Sequence, residues 1–410
     1  MKNLRLETKE KNIDIPSSKS ITHRALILAS FSSEKFTLRN VTFSNDILAT
    51  IDSLRALNKK IEIDGNNVYI YPSPIKKVRD INVLESGSTL RFVIPLALMQ
   101  NEEISINGIN HLVNRPINDF FPIFNKLGIS YEYNGSLPLK IKGILKPGYY
   151  EINGSVSSQF ITGLLLTLPF LNGDSILKVI NKFESKSYVD MTLKVLKSFN
   201  IKVLVKNNTY YIKGNQEVKL KEYVIEPDFS QAAFFLVLNT FGKSIKINNL
   251  SRESLQGDKK IIDILEKSNV KFDYNFRVLN NDFLPQEVDL SDNPDIAPIL
   301  AIFFSNVSGK SILCGLSRLK YKECDRLNAT YLMLKSAGVN VTCTNDSITI
   351  IGKTNYKDGF VDDFNDHRIL MSAAILSNFI NVKVNNLNSV KKSFPNFFDV
   401  YKEIGGIISE

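Results

Sequence analysis

Two kinds of short motif in this 410-residue chain could do chemistry. The first sets small hydroxylated residues and a cation at the start of an apolar stretch. It occurs in Pro16-Ser17-Ser18-Lys19-Ser20-Ile21-Thr22-His23-Arg24, in Glu85-Ser86-Gly87-Ser88-Thr89-Leu90-Arg91 and, without the cation, in Ser157-Ser158-Gln159. The second sets carboxylates against cations. It occurs as Pro294-Asp295, Lys322-Glu323-Cys324-Asp325-Arg326 and Asn365-Asp366-His367-Arg368, with Lys392 ahead of Ser393-Phe394-Pro395. Arg115 stands alone between Asn114 and Pro116.

The first kind suits anion binding. The free amides of a helix start attract anions, and Ser18, Ser20 or Ser157 can cap one. Lys19 and Arg24 sit where the helix dipole disfavours cations unless an anion is bound there. Gly87 lets a ligand approach the backbone. Capped helices with solvated basic residues would look the same, and Ser157 could be only the cap of a helix over 160–167. The second kind suits proton transfer or ion pairing. Glu323 and Arg326 are i,i+3 neighbours if helical, and Asp295 is favourable at a helix start on structural grounds alone.

The elements that must position these residues repeat. An amphipathic helix, then Gly or Asn, then an alternating strand recurs around Asn58, Gly128, Asn200, Asn269, Gly338 and Gly405, at intervals of about seventy residues. Gly and Asn take the left-handed conformation that ends a helix at least steric cost. Polar turns such as Asp64-Gly65-Asn66-Asn67 and Asn207-Asn208 then lead into a second strand. The expected class is α/β (α+β), six related units forming two domains of three, with a boundary near 223–228. Apolar helices are expected over 25–31, 92–99 and 369–376.

Composition narrows the partners. The net charge is +9, from 51 Lys+Arg against 42 Asp+Glu, which fits nucleic acid, an anionic surface or small anions. Cys314, Cys324 and Cys343 are too scattered for a disulfide framework or a zinc site, and His23, His111 and His367 form no ligand pair. A structural metal site is not expected. No apolar run reaches the ~20 residues of a membrane span, and the charged N-terminus lacks a signal-peptide core, so a cytoplasmic protein is expected.

Taken together and in order, the motifs resemble those of the 5-enolpyruvylshikimate-3-phosphate (EPSP) synthase family. They read PSSKSITHRA, ESGSTLR, NRPI, SSQFITGLLL, SKSYVDMTL, EPDFSQAAFF, QGD, PDIAP, YKECDRL, NDHR and KSFPNFF, from Pro16 to Phe398. The resemblance implies a two-domain enolpyruvyl transferase fold, an inside-out α/β barrel with three βαβαββ repeats per domain. It assigns 1–17 with 226–410 to one domain and 18–225 to the other, with the active site in the cleft between. The implied reaction moves the enolpyruvyl group of phosphoenolpyruvate to the 5-hydroxyl of shikimate 3-phosphate. It releases phosphate by addition and elimination through a tetrahedral intermediate, with no cofactor. The family is the target of glyphosate.

By the same resemblance, Lys19, Ser20, Arg24, Ser157, Ser158, Gln159, Ser185, Tyr188, Asp295 and Lys322 hold shikimate 3-phosphate. Lys19, Gly87, Arg115, Gln159, Arg326, Arg368 and Lys392 hold phosphoenolpyruvate. Lys19, Asp295, Glu323 and His367 are the catalytic set, with Glu323 as acid and Asp295 as base. Two small anionic substrates, a monomer and no nucleic acid or membrane partner are expected. Three positions depart from the family pattern. Ser17 replaces a glycine, Arg318 replaces an Asn that contacts shikimate 3-phosphate, and Glu85 puts an anion where an Asn or small residue is usual. A sister transferase acting on UDP-N-acetylglucosamine carries a reactive Cys where this chain has Asn110. A nucleic-acid-binding protein would need a basic run with interleaved aromatics, which is missing.

Overall fold

The computed structural model describes residues 1–7, 10–75, 79–353 and 355–410. It divides into two compact units, Ser17–Glu226 (the first unit) and Met1–Pro16 with Pro227–Glu410 (the second).

The first unit holds helices α1 (Lys19–Ala29), α2 (Asn45–Ala56), α3 (Gly87–Ala97), α4 (Phe121–Leu127), α5 (Ser158–Thr167) and α6 (Lys186–Ser198). Its strands form three four-stranded sheets. In Asp80–Asn82, Ile104–Asn107, Leu139–Lys142 and Ser130–Glu132, the first pair is parallel and the others antiparallel. Tyr149–Asn153, Ser175–Ile180, Thr209–Ile212 and Val203–Lys206 repeat that pattern. Each is a βαβαββ unit. A parallel crossover needs a helix, whereas the last two strands need only a tight turn. In the third sheet, Glu222–Val224 from the end of the unit lies parallel to Phe36–Arg39, ahead of Asn67–Tyr71 and Lys60–Asp64.

Within each repeat the two helices differ. Apart from exposure at their first polar residues, α1, α3 and α5 are buried throughout. That is why their sequences read as unbroken apolar runs. The helices α2 and α6 show one apolar face, and one core joins all three sheets of the unit.

The second unit holds α7 (Phe229–Asn239), α8 (Lys260–Lys267), α9 (Ala297–Ser305), α10 (Arg326–Ser336), α11 (His367–Leu376) and α12 (Phe397–Glu403). Glu287–Asp289, Gly309–Cys314, Ile348–Gly352 and Asn340–Cys343 form one sheet, and Gly359–Val361, Val382–Val384, Lys2–Leu6 and Gly406–Ser409 another. The start of the chain thus supplies an internal strand. A second early strand, Lys11–Ile13, pairs in parallel with Ile245–Ile247.

All six helix-ending Gly and Asn residues have positive φ, from +61° at Asn200 to +98° at Gly405. The expected strand after Asn269 is the exception. Only an isolated bridge, Phe272 with Val278, forms there. The Asp273 carboxylate accepts from the Asn275 and Arg277 amides and turns the chain back before a ladder can extend. The buried helices also begin earlier than the apolar runs suggest, at Lys19, Gly87 and His367 rather than 25, 92 and 369. Their first turns are polar, so apolar periodicity could not find them.

Candidate active site

In the first unit the candidate residues gather at helix starts. Ser18 caps α1 by accepting from the Ile21 amide, Ser86 caps α3 through the Thr89 amide, and Ser157 caps α5 through the Gln159 amide. Lys19 meets Asp46 at 2.6 Å and, one turn on, His23 meets Thr50 at 2.7 Å, so α1 and α2 run in the same direction. Gln159 donates to Ser88 Oγ at 3.0 Å, and one turn on Gly163 lies against the Arg91 carbonyl. A Cβ on Gly163 would sit 2.3 Å from that oxygen, so glycine is what lets α3 and α5 run side by side. Buried hydroxyls tie these helices together, from Thr50 to Thr89 at 2.6 Å and from Thr89 to the Ser86 cap at 2.7 Å.

Two cationic groupings follow. Arg24 is buried, and the partners its guanidinium reaches are neutral: Thr192 Oγ1 at 2.8 Å, the Ser20 carbonyl at 2.6 Å and the Tyr188 carbonyl at 3.1 Å. Burial pulls its pKa down to about 10, with the Tyr188 side chain opposing. Burial, with Lys19 and Arg24 adding to it, also holds His23 well below the ordinary imidazole range, so that ring is neutral. The second grouping surrounds Gly87. A Cβ there would meet the Arg115 guanidinium at 2.4 Å and Arg91 at 3.0 Å. Arg91 donates to Gln159 Oε1 at 3.0 Å, to the Gly87 carbonyl at 3.2 Å and to the Pro116 carbonyl at 2.7 Å. The Asn110 amide donates to the Glu85 carboxylate, so that unusual anion has a local partner. Ser158 is buried in the first turn of α5, and Ser185 takes φ +51° at the start of α6.

The second unit pairs its cations with carboxylates. The Arg326 side chain is 1 % exposed and forked among three of them. Its Nε donates to Asp366 Oδ2 at 2.8 Å, one terminal nitrogen to Asp295 Oδ1 at 2.7 Å and the other to Glu323. Lys322 Nζ lies 3.1 Å from Asp295 Oδ1, and Arg368 donates to the Asp295 carbonyl at 3.2 Å. Lys392 donates to the Asn365 carbonyl at 2.7 Å and Arg318 to that of Ser291 at 2.6 Å.

Burial alone would raise the Asp295 carboxyl. The Lys322, Arg368 and Arg326 cations outweigh it, against Glu323, and hold it well below the usual carboxylate range. Burial lowers the Lys322 ammonium, which Asp295 only partly offsets. Burial would lower Arg326 too, but Asp366, Glu323 and Asp295 hold it well above its ordinary value.

Asp295, Lys322, Glu323, Arg326 and Arg368 therefore form one cluster, with His367 buried next to the Asp366 cap in sequence. Glu323 precedes α10 rather than lying on it, yet reaches Arg326 all the same. The helix starts here are capped by carboxylates: Asp228 on α7, Asp325 on α10 and Asp366 on α11. Four participants were not singled out from the sequence. Asp366 and Arg91 lie inside the Asn365–Arg368 and Glu85–Arg91 motifs without a role of their own, and an arginine between Leu90 and Phe92 four residues after Gly87 is a signal of burial. Asp46 and Thr192 carried no local signal. Among the described residues, no three His, Cys, Asp or Glu side chains are grouped as metal ligands, and no helix is long and apolar enough to cross a membrane.

Repeated βαβαββ units carrying a neutral-lined cationic group and a carboxylate–cation cluster define an α/β enzyme that handles small anions. The chain belongs to the EPSP synthase (3-phosphoshikimate 1-carboxyvinyltransferase) family, whose pattern it matches over residues 6–401. It is 40% identical to the 3-phosphoshikimate 1-carboxyvinyltransferase of Clostridium novyi (strain NT), over 100% of this chain and 99% of that one. It is 42% identical to that of Clostridium kluyveri, over 98% and 96%. An EPSP synthase structure from Acinetobacter baumannii shares the fold at TM-score 0.81 and 20% identity, covering all of both chains.

Proposed function

We propose that this chain carries out its family's reaction, enolpyruvyl transfer from phosphoenolpyruvate to the 5-hydroxyl of shikimate 3-phosphate, with its residues in the following roles. The observation that carries the reading is Arg24, a buried guanidinium whose partners, the Thr192 hydroxyl and the Ser20 and Tyr188 carbonyls, bring it no full negative charge. A buried cation is costly until an anion meets it, and a phosphate supplies that anion. Arg24, Ser20, Ser157, Ser158, Gln159, Ser185 and Tyr188, with Lys19, Asp295 and Lys322, are assigned to shikimate 3-phosphate. Lys19, Gly87, Arg115, Gln159, Arg326, Arg368 and Lys392 are assigned to phosphoenolpyruvate. Gly87 fits this role because only a residue without Cβ leaves the Arg115 guanidinium beside the start of α3.

In the addition step the 5-oxygen bonds to C2 of phosphoenolpyruvate, a proton goes to C3, and the hydroxyl proton goes to a base. Elimination then returns the C3 proton to the protein and expels phosphate. Glu323 is assigned the C3 proton and Asp295 the hydroxyl proton, with Lys19 beside Asp46 able to pass a proton. The low pKa of Asp295 belongs to the carboxylate with its cations in place. Anionic substrates that engage Lys322 and Arg368 weaken that hold and raise its basicity. His367 is assigned a supporting role.

The test mixes the protein with both substrates and follows inorganic phosphate. Release that requires both compounds is expected. Absence of release from that pair, or release with UDP-N-acetylglucosamine as acceptor instead, would overturn the reading. The Glu323→Gln variant should bind both substrates and fail to turn them over.

A further inference from the structure

The repeats allow each sheet of the molecule to serve as a control for the others. In every complete four-stranded sheet among the described residues, at least one row of cross-strand partners faces away from the core. Three rows read Asp80–Ser105–Lys140–Glu132, Glu222–Thr37–Tyr69–Glu62 and Glu287–Ile312–Thr349–Thr342. A fourth reads Phe360–Lys383–Asn3–Ser409. Each contains at least one charge, as a solvated face does. The last sheet of the first unit carries two such rows: Glu151–Lys178–Thr209–Lys206 is charged like the others, whereas its neighbour Tyr149–Ile176–Tyr211–Leu204 contains no charge. Leu204 is 58% exposed and Tyr211 39%.

That row does not lie on a flat face. Ile176, Tyr211 and Leu204 form the floor of a groove of about 430 Å³, and Lys202, Lys206 and Lys213 stand along it. Lys213 is tied to Asp174 at 2.6 Å, whereas among the described residues no such carboxylate partner holds Lys202 or Lys206. The volume is that of a small-molecule site. Its chemistry is an exposed aromatic ring and a leucine among ammonium groups, with Leu204, Lys206 and Tyr211 on strands and Lys202 and Lys213 just beyond strand ends.

We propose that this groove is a second ligand site, for a small planar anion: an aromatic ring system bearing a carboxylate or another acid group. The ring packs on Tyr211 and Leu204, and the acid group lies between Lys202 and Lys206. Apolar contact with aromatic offset stacking supplies affinity, and the lysines select for negative charge. A second copy of the chain is a poorer occupant, because a two-fold contact would set one row of lysines against the other.

The test titrates the full chain with 8-anilinonaphthalene-1-sulfonate, a planar aromatic anion, in saturating shikimate 3-phosphate and inorganic phosphate to fill sites for those anions. Saturable fluorescence at one dye per chain is expected. Tyr211→Ala and the double variant Lys202→Gln/Lys206→Gln should each weaken binding at least ~10-fold. The neutral analogue N-phenyl-1-naphthylamine should bind the wild type at least ~10-fold more weakly than the sulfonate does. These side chains are exposed, so both variants should melt with the wild type, and phosphate release should be unchanged. Equal dye affinity in the wild type and both variants would overturn the proposal. A concentration-dependent dimer that Leu204→Glu abolishes would assign the face to a second copy and overturn it too.

Discussion

The two units start their buried helices with opposite chemistry. In the first, Ser18, Ser86 and Ser157 cap α1, α3 and α5, and these helices have no acidic residue in their first turns. In the second, Asp228 and Asp366 cap α7 and α11, and Asp295 stands just ahead of α9. A serine satisfies an orphan amide and leaves the positive end of the dipole in place, whereas an aspartate also neutralises it. The cations follow suit. Arg24 rests on hydroxyl and carbonyl oxygens, while Arg326 is surrounded by Asp366, Asp295 and Glu323. One repeat architecture thus produces a unit with a buried arginine set on neutral oxygens and a unit whose buried arginine meets carboxylates.

The most severe way to break this contrast is to remove the matched cation. Arg326→Met leaves three carboxylates facing one another, and breaking a buried pair costs about 3–5 kcal/mol. A large fall in melting temperature and loss of phosphate release are expected. Removing Arg24 should do the reverse. Arg24→Met should raise the dissociation constant of shikimate 3-phosphate ~100-fold or more, from the loss of about 3 kcal/mol of charge-assisted bonding, without lowering the melting temperature.

Gly87→Ala sharpens the contrast within the first unit. Its methyl group must displace Arg115, so KM for phosphoenolpyruvate should rise ~10-fold while affinity for shikimate 3-phosphate holds. Exchanging the caps is gentler. Ser86→Asp should stabilise the fold by about 0.3–1 kcal/mol and raise KM for phosphoenolpyruvate several-fold. Asp228→Ser should cost a few tenths of a kcal/mol and leave both KM values alone.

The last difference is visible only in acid. Asp295 is held below its unfolded value, so its contribution to stability is complete above about pH 4 and is lost as the pH falls through its folded pKa. The melting-temperature gap between wild type and Asp295→Asn should be constant through neutral pH and narrow below about pH 4.

Sequence periodicity captured the repeat because its signal is local. A helix end needs a left-handed residue, and Asn58, Gly128, Asn200, Asn269, Gly338 and Gly405 all supply one. It failed where a side chain rewrote the backbone, as Asp273 does after Asn269, and where a helix opens on polar residues, as at Lys19 and Gly87. The candidate residues were legible as motifs, and Lys19, Arg24, Gly87, Asp295 and Arg326 all stood out. Their partners were less so, since Asp46 and Thr192 lie 27 and 168 residues from the cations they bind. Which cations meet carboxylates and which meet neutral oxygens depends on those long-range pairs, and no short window of sequence contains them.

The central claim is most directly tested by thermal melting of wild type, Arg24→Met and Arg326→Met, each with and without shikimate 3-phosphate. Ligand at ~100 times its dissociation constant should stabilise the wild type by about 2.7 kcal/mol. The account predicts that ligand-free Arg24→Met melts at or above the wild type and loses that shift, whereas Arg326→Met melts far below it. An Arg24→Met variant that melts well below the wild type and keeps the full ligand shift would contradict it.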